Sequence, residues 1–508
     1  MNKKESILRI KNFNFPIIEI SILVIIALSL RFFFFESEIP LSLDALTYFS
    51  FSYETKILGH FPEVIPFTNL GWAWILTFFF NIFSFDSAIE YMNLQKIISV
   101  ILSSLTIIPV YLLCKKFSER KYALFASSLL VFDPRIIQNS LLGITDALYL
   151  LMMTFVFVLF FNIQKKYIYA AFGLTALTTI VRAEGVFLFI AISILFFIKF
   201  KNEEKIIIKY LVGFAIFILI LSPILLERVE IFQNEFMVQS FDESGIIINS
   251  QQNLTSKIII GFENFIKLLG WVTIPIYLVF LVPGFFIMLK KWKKKNLEII
   301  IPIIIMSIPI FYAYFIPAQD TRYLFVLFPF FSIISVFSIT VLGKRIQSIR
   351  KILPVILIIV IMTSAVFFYE KTDSVHEKEA YLISKYLVDN TQGVNSIYPE
   401  TKFIRSSEVV RDFPDIPYKE NGEFTIKIKN FNIHEENLFE FIKNYKNKGL
   451  SHIITDENLN RNSILVDIFN NEQNYPFLEK TLDSKELNWE HHFKIFKINY
   501  KEFEKFKQ

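Results

Sequence analysis

Two acidic and two basic side chains stand at the ends of long apolar runs in this 508-residue chain. Asp44 follows the first run, Asp146 begins a later one, and Arg182 and Arg322 lie beside two others. A charge at the bilayer centre costs on the order of 3 kcal/mol, so charges kept at span ends are either solvated or functional. Carboxylates can exchange protons with a substrate, and guanidinium groups bind phosphate oxygens bidentately. The four residues form one site only if they reach the same membrane face.

Each of these residues also has an ordinary structural explanation. Asp44 could cap an interfacial helix, and Asp146 could cap the apolar run that follows it. Arg182 and Glu184 could form a local interfacial ion pair, and Arg322 could lie at a capped helix start. The joint placement of these charges on one predicted face favours a shared site.

The composition indicates a polytopic helical membrane protein. Hydrophobic residues make up 54% of the chain, 59 of its residues are phenylalanine, and the apolar residues fall in long blocks. The net charge is only +5, and the basic residues are scattered in short loops between apolar runs. That pattern is typical of membrane orientation and argues against a nucleic-acid partner. The single cysteine, Cys114, excludes an intramolecular disulfide.

The hydropathy pattern predicts about eleven transmembrane helices. Basic residues before the first run place the N-terminus in the cytoplasm, and every later short basic loop then also lies inside. The same alternation places Asp44, Asp146, Arg182 and Arg322 outside. The predicted spans are 17–35, 89–113, 122–137, 147–161, 167–181, 185–198, 206–226, 271–289, 299–316, 324–342 and 352–368. The Asp133-Pro134 pair predicts a break within the third of them.

The segments between these spans predict two polar external loops and a separate C-terminal domain. The first loop covers residues 36–88 and contains a 72–83 helix too short to span a bilayer; the second covers 227–257. A multi-span domain would thus occupy residues 1–369. After it, polar composition and alternating helix and strand patterns predict a small soluble α/β domain at 370–508. The chain is thus expected to be a multi-pass protein of the cell membrane with this domain on the external side. The predicted pieces there are helices at 375–388 and 435–446 and strands at 423–428, 452–455 and 493–500.

Several short motifs resemble membrane glycosyltransferases of the GT-C superfamily. Residues 81–146 contain FSFDSAIEYM, then ILSSLTIIPVYLL, a basic turn, and a span that ends in Gly143 and Asp146. The order and spacing of these motifs resemble those in oligosaccharyltransferase catalytic subunits. RFFF before LDA, VRAEG after the fifth span and DTRYL before the tenth are similar to the wider superfamily, which includes protein O-mannosyltransferases and aminoarabinose transferases. The resemblance covers residues 17–342.

The resemblance implies a GT-C fold and an inverting transfer of a hexosyl or pentosyl unit. The donor would be a polyprenyl-phosphate sugar among the membrane lipids, and the acceptor a protein, lipid or polysaccharide at the external face. By the same matching, Asp44 and Asp146 would be catalytic, and Arg322 and Arg182 would bind the donor phosphate. Further substrate contacts are expected from three residues of the same face, namely His60, Glu184 and Tyr323.

Two departures from the oligosaccharyltransferase pattern favour a metal-independent enzyme that needs no cofactor. Ile144 occupies the first position of the paired acids of the second loop, which weakens a divalent metal site. The Trp-Trp-Asp signature of the soluble domain is also missing, since Trp489 is the only tryptophan after residue 369. The alternatives are a transporter or lipid-linked glycan flippase, and an oligosaccharyltransferase-like enzyme that transfers a preassembled glycan.

Overall fold

The computed structural model describes residues 16–506, with gaps at 42, 63–68, 86, 163, 165, 233–253, 316–319 and 346–348. Between 370 and 449 it describes only 375, 378–379, 382–383, 386, 404–406, 418–420, 423–425, 429–431, 433 and 437–447. Residues 233–253 of the predicted loop 227–257 and more than half of the predicted helix 375–388 therefore lie outside the described residues.

Helices dominate the described part of the chain. Helices α1 to α11 are Ile17–Phe33, Leu43–Leu58, Gly71–Ile82, Ala88–Leu105, Ile107–Phe117, Arg120–Val131, Pro134–Leu141, Asp146–Phe160, Lys166–Val181, Gly185–Phe200 and Ile206–Phe232. Helices α12 to α16 are Leu254–Thr273, Leu278–Lys290, Leu297–Phe315, Phe328–Arg345 and Ile349–Tyr369, and α17 to α19 are Leu438–Lys446, Ser463–Asn470 and Tyr500–Phe506.

Four of the described helical segments are long and apolar enough to cross a membrane. They are Ile89–Phe117, Ile206–Leu226, Lys294–Phe315 and Thr321–Arg345. A fifth results if the bent pair α12 and α13 forms one span. Other apolar helices, such as α8, α9 and α10, are shorter than 18 residues. A helical membrane architecture is thus confirmed, whereas the predicted count of eleven spans is not.

The region of the predicted eighth span differs from the expectation of one straight helix at 271–289. Helix α12 begins at Leu254, and the chain bends by 114° between Thr273 and Leu278 before α13 continues. Pro275 lies in this break and cannot donate a helical backbone hydrogen bond. The hydropathy window detected the apolar run but missed the bend.

The third predicted span is interrupted where the sequence contains Asp133-Pro134. Helix α6 ends at Val131, and the Asp133 side chain accepts a hydrogen bond of 2.9 Å from the Arg135 backbone N–H. Pro134 then occupies the first turn of α7, where its missing N–H costs nothing. The predicted break is confirmed, and it begins a short helix that leads towards Asp146.

The chain forms two compact units. The first comprises Met1–Phe35, Phe67–Trp72 and Ile97–Glu370, and the second comprises Glu36–Pro66, Ala73–Lys96 and Lys371–Gln508. In the first unit, α8 packs against α9, α9 against α11, and α10 against α14. The division into a membrane domain at 1–369 and a soluble domain at 370–508 stays a prediction.

The second unit contains α2 and a small C-terminal sheet. Strands β1 to β7 are Ile404–Ser406, Tyr418–Glu420, Glu423–Thr425, Lys429–Phe431, His452–Asp456, Leu478–Asp483 and Phe493–Ile498. Strands β5, β7 and β6 form an antiparallel sheet in that order, with β7 in the centre. Its buried side chains include Ile453, Ile454 and Phe496, together with Phe441 of α17 and Phe477. The predicted strands at 452–455 and 493–500 are therefore present, whereas β6 and α18 were not predicted.

Candidate functional site

A buried arginine joins two carboxylates at the start of α8 and the end of α9. Arg182 donates one hydrogen bond to Asp146 Oδ1 and two to Glu184, at 2.7 Å to Oε1 and 3.3 Å to Oε2. The side chains of Arg182, Asp146 and Glu184 are only 19%, 11% and 25% exposed. The guanidinium carbon also lies 5.7 Å from the centre of the Tyr149 ring, within cation–π range. Three residues predicted for the site are thus brought together.

Tight backbone turns hold the cluster in place. Gly143 has φ of +72°, a conformation that favours glycine, and its carbonyl accepts a 3.0 Å hydrogen bond from Trp72 Nε1. The neighbouring Gly71 packs so closely that an added Cβ would lie 2.8 Å from Val181 Cγ2. The Gly71-Trp72 segment therefore contacts both the turn before Asp146 and the residue before Arg182.

The turn between α9 and α10 also depends on a glycine. The Gly185 N–H donates to the Arg182 carbonyl at 3.0 Å. A Cβ at Gly185 would lie 2.6 Å from the backbone of Thr179, where a side chain cannot be accommodated without backbone movement. This close approach fixes Glu184 directly beside Arg182.

The opposite charges stabilise each other against the cost of burial. Burial alone would lower the pKa of Arg182, but Glu184 and Asp146 together raise it well above its usual value. Burial alone would raise the pKa of Glu184, but the Arg182 guanidinium outweighs burial and lowers it. Arg182 and Glu184 are therefore both charged at neutral pH.

The second oxygen of Asp146 faces different surroundings. Asp146 Oδ2, Tyr149 OH and Asn139 Oδ1 are buried and have no hydrogen-bond partner among the described residues. All three residues line one cavity together with Ser103 and Phe325. Its volume of about 10 Å³ is near the lower limit for one water molecule. This cavity suits a single bridging water and is too small for a sugar ring.

Arg322 lies in a 3₁₀ helix, Thr321–Leu327, that packs against α8. Its backbone N–H and its Nε donate to the Asp320 carboxylate at 2.8 Å and 2.5 Å. The charges of Arg182, Arg322, Glu184 and Asp320 all act on Asp146. Arg322 thus lies with Asp146, Arg182 and Glu184 on one face, termed the charged face. Its side chain is about one-third exposed.

Tyr323 lies beside Arg322 and is partly buried. Its ring packs edge-on against Tyr314, with 6.2 Å between the ring centres, and Tyr314 OH donates to the Asp320 carbonyl at 2.9 Å. The charges of Arg182, Glu184 and Arg322 also act on Tyr323. The predicted contact residue therefore lies in the charged face.

Asp44 and His60 lie in the second compact unit. Asp44 is exposed in the first turn of α2, where a carboxylate interacts favourably with the helix dipole. His60 is exposed just after α2, with its Nδ1 2.9 Å from the Phe61 carbonyl oxygen. Helix α2 is held by hydrogen bonds from Ser52 Oγ to the Ala73 carbonyl at 3.0 Å and from Gln95 Nε2 to the Ala45 carbonyl at 2.9 Å. The roles of Asp44 and His60 remain predictions.

Arg31 was not predicted as a site residue but is fully buried near the same elements. Its guanidinium donates to Ser140 Oγ at 3.1 Å, to Ser103 Oγ at 3.1 Å and to the Val131 carbonyl at 3.0 Å. These bonds tie α1 to α4, to the end of α6 and to α7. The signal in the sequence was an arginine two residues before the end of an apolar helix, within the RFFF motif.

A family model described as "Predicted membrane protein (DUF2079)" matches residues 91–410, which is more than half of the chain. The chain belongs to the DUF2079 family. No curated protein matches its sequence.

This DUF2079 protein is similar in structure to two kinds of solved membrane protein. For ArnT from Cupriavidus metallidurans in the apo state, the TM-score is 0.59 at 9% identity, with 95% of this chain and 98% of that chain covered. ArnT bound to undecaprenyl phosphate gives 0.56 at 10% identity, with 94% and 97% covered. The Archaeoglobus fulgidus oligosaccharyltransferase in complex with Zn and sulfate gives 0.54 at 14% identity, with 86% and 68% covered.

These similarities confirm the predicted fold. Both neighbours are GT-C proteins, so the DUF2079 chain is a helical membrane protein of GT-C fold with a small C-terminal sheet region. At identities of 14% or less, the likeness concerns the fold and not the substrate. The activity must therefore be argued from the charged face itself.

Proposed function

We propose that this protein is a membrane glycosyltransferase that moves a sugar from a polyprenyl-phosphate donor to an acceptor at the external membrane face. The observation that carries the proposal is the charged face of Asp146, Arg182, Glu184 and Arg322 on a GT-C fold. Two solved relatives of this fold are described with polyprenyl phosphates, ArnT with undecaprenyl phosphate and the archaeal oligosaccharyltransferase with dolichol-phosphate.

The proposed reaction is an inverting displacement at the anomeric carbon of the donor sugar. The acceptor hydroxyl oxygen attacks that carbon from the face opposite the phosphate, and the bond between the carbon and the phosphate oxygen breaks with its electron pair leaving on the phosphate. Asp44 is proposed to take the proton of the attacking hydroxyl. No metal or cofactor is required for this balance of bonds and protons.

Arg322 is the proposed partner of the departing phosphate. Its guanidinium is about one-third exposed, so a ligand can approach it without unfolding the surrounding chain. A guanidinium keeps its charge and binds two phosphate oxygens at once, which stabilises the negative charge that develops as the donor bond breaks. Arg182 uses three of its five N–H groups for the two acids, so two remain for the same phosphate.

Asp146 is proposed as the second catalytic acid, with Glu184 and Tyr323 as substrate contacts. Its Oδ1 is bound by Arg182, and Tyr149 packs on the same guanidinium. His60 is proposed to contact the phosphate or the sugar of the donor. The protein is proposed to lie in the cell membrane, with its N-terminus in the cytoplasm and its C-terminal region on the external side.

The test is transfer of a labelled sugar from synthetic polyprenyl-phosphate donors by membranes that contain the full chain. Asp44→Asn should lower the rate at least about 100-fold, the usual contribution of a general base. Glu440→Gln, at another exposed acid in the first turn of a helix, should leave the rate unchanged. Full activity in Asp44→Asn would contradict the proposed role of that residue.

A second pair of variants tests the phosphate site. Arg322→Ala should raise the donor KM and lower kcat, because the phosphate is held in both the ground state and the transition state. Arg345→Ala is the matched control, since Arg345 is exposed at the other end of the helix that follows Arg322. Equal kinetics in the two variants would show that Arg322 does not bind the phosphate.

A further inference from the structure

One solved relative is an oligosaccharyltransferase in complex with Zn, so a divalent cation is a candidate ligand for the acids of the charged face. Hard divalent cations such as Mg²⁺ take about six oxygen ligands, usually with more than one carboxylate among them. Within the described ranges, no group of three or more His, Cys, Asp or Glu side chains is arranged to hold a metal ion. The residues present therefore do not fit such a site.

The two acids of the charged cluster, Asp146 and Glu184, are already paired with a cation, the Arg182 guanidinium. Asp146 Oδ1 accepts from Arg182, and both oxygens of Glu184 accept from the same guanidinium, at 2.7 Å and 3.3 Å. A metal ion between these acids would have to break those bonds and stand beside a fixed positive charge. In a buried site that repulsion is strong, because little water screens it.

The charges of the cluster support the same conclusion. With both acids ionised, one guanidinium and two carboxylates have a net charge of −1, compared with −2 for the acids alone. The remaining free oxygen, Asp146 Oδ2, lies at the small cavity with Asn139 and Tyr149, and these three residues offer only one carboxylate. One charge and three oxygens are too few for a divalent cation.

We propose that Arg182 is a built-in cation that takes the place of a divalent metal between Asp146 and Glu184. In this role Arg182, in addition to its proposed contact with the phosphate, orients Asp146 and reduces the net negative charge beside the proposed phosphate site without a dissociable ion. The inference deepens the proposed function by assigning it a metal-free site, but it is tested by metal binding alone. Its result therefore does not depend on whether the sugar donor is correct.

The experiment measures Mn²⁺ binding to the full chain purified in detergent, by electron paramagnetic resonance at neutral pH. Wild type should have no Mn²⁺ site that depends on Glu184. Glu184→Gln should therefore bind Mn²⁺ no more weakly than wild type. Arg182→Gln exposes two adjacent carboxylates to each other and should bind Mn²⁺ at least tenfold more tightly than wild type. The double variant Arg182→Gln/Glu184→Gln should lose that gain, and Arg345→Gln should behave like wild type.

Two results would overturn the proposal. The first is a wild-type Mn²⁺ site that Asp146→Asn or Glu184→Gln abolishes. The second is a folded Arg182→Gln protein, checked by its thermal transition, that gains no Mn²⁺ binding. If Arg182→Gln fails to fold, Arg182→Lys keeps one positive charge and should remain without a Mn²⁺ site, whereas a gain of binding there would contradict the inference.

Discussion

The Arg182 cluster contains one cation and two acids, so removing the cation and removing one acid should have different effects on stability. Arg182→Gln removes the only cation that bonds to both carboxylates among the described residues, whereas Asp146→Asn removes one of two acids and leaves Glu184 in place. Asp146→Asn keeps the size of the side chain, whereas Arg182→Gln shortens it, and both keep a hydrogen-bonding group. The larger difference between the two variants is the charge that they leave buried.

The expected magnitudes follow from what remains bonded in each variant. In Asp146→Asn, Arg182 keeps its bonds of 2.7 Å and 3.3 Å to Glu184, so the loss is one charge-assisted hydrogen bond, worth about 1.5–3 kcal/mol. In Arg182→Gln, two carboxylates stand together without a cation, and breaking such a buried pair costs about 3–5 kcal/mol. Arg182→Gln should therefore have the lower free energy of unfolding, by about 2 kcal/mol.

The pH dependence of the free energy of unfolding gives a second test of the same variants. In wild type the Glu184 pKa is lowered, so its pairing stabilises the fold above the usual range of a carboxyl and is lost as the pH falls through the lowered value. In Arg182→Gln, the two adjacent acids should have raised pKa values, since each disfavours ionisation of the other. The destabilisation of Arg182→Gln should therefore be larger at pH 8 than at pH 5.

The assay is equilibrium unfolding of the full chain in mixed detergent micelles at both pH values. The double variant Arg182→Gln/Glu184→Gln should recover part of the stability lost in Arg182→Gln, because it removes one uncompensated charge. Equal unfolding free energies for Arg182→Gln and Asp146→Asn at both pH values would refute the idea that Arg182 compensates two buried acids.

Two further predictions concern packing and titration outside this pair. Gly185→Ala should destabilise the chain and displace Glu184, because its Cβ would lie 2.6 Å from the Thr179 backbone. Gly270→Ala is the control and should be neutral or slightly stabilising, since a Cβ there meets open space. The measurement is the thermal unfolding temperature of the two variants. Burial and the charge of Lys497 lower the pKa of His452 from 6.5 to about 4, so its neutral form stabilises the sheet above pH 6.5 and that stability falls below it. Amide exchange of β5, corrected for intrinsic rates, should show a loss of about 1.4 kcal/mol from pH 7.5 to 5.5, and His452→Gln should remove this dependence; an unchanged dependence in that variant would assign it to another group.

Local sequence signals predicted most helix positions correctly. The apolar runs that became α8, α9 and α10 were predicted to within two residues at each end, and Asp133-Pro134 marked the break before α7. These features depend on interactions between residues a few positions apart, such as the Asp133 cap, and a single sequence contains them in full. The bend between α12 and α13 was missed because a hydropathy window averages over it.

The sequence alone established that charges stand at the ends of apolar spans, and it favoured one common face for Asp146, Arg182 and Arg322. Only the tertiary structure showed that Arg182 bonds to both Asp146 and Glu184, because Asp146 lies 36 positions away along the chain. The role of Arg31 was likewise hidden, since its partners Ser103 and Ser140 are 72 and 109 positions away. Periodicity and hydropathy specify where a helix begins and which face is apolar, whereas the pairing of distant charges depends on how the helices pack.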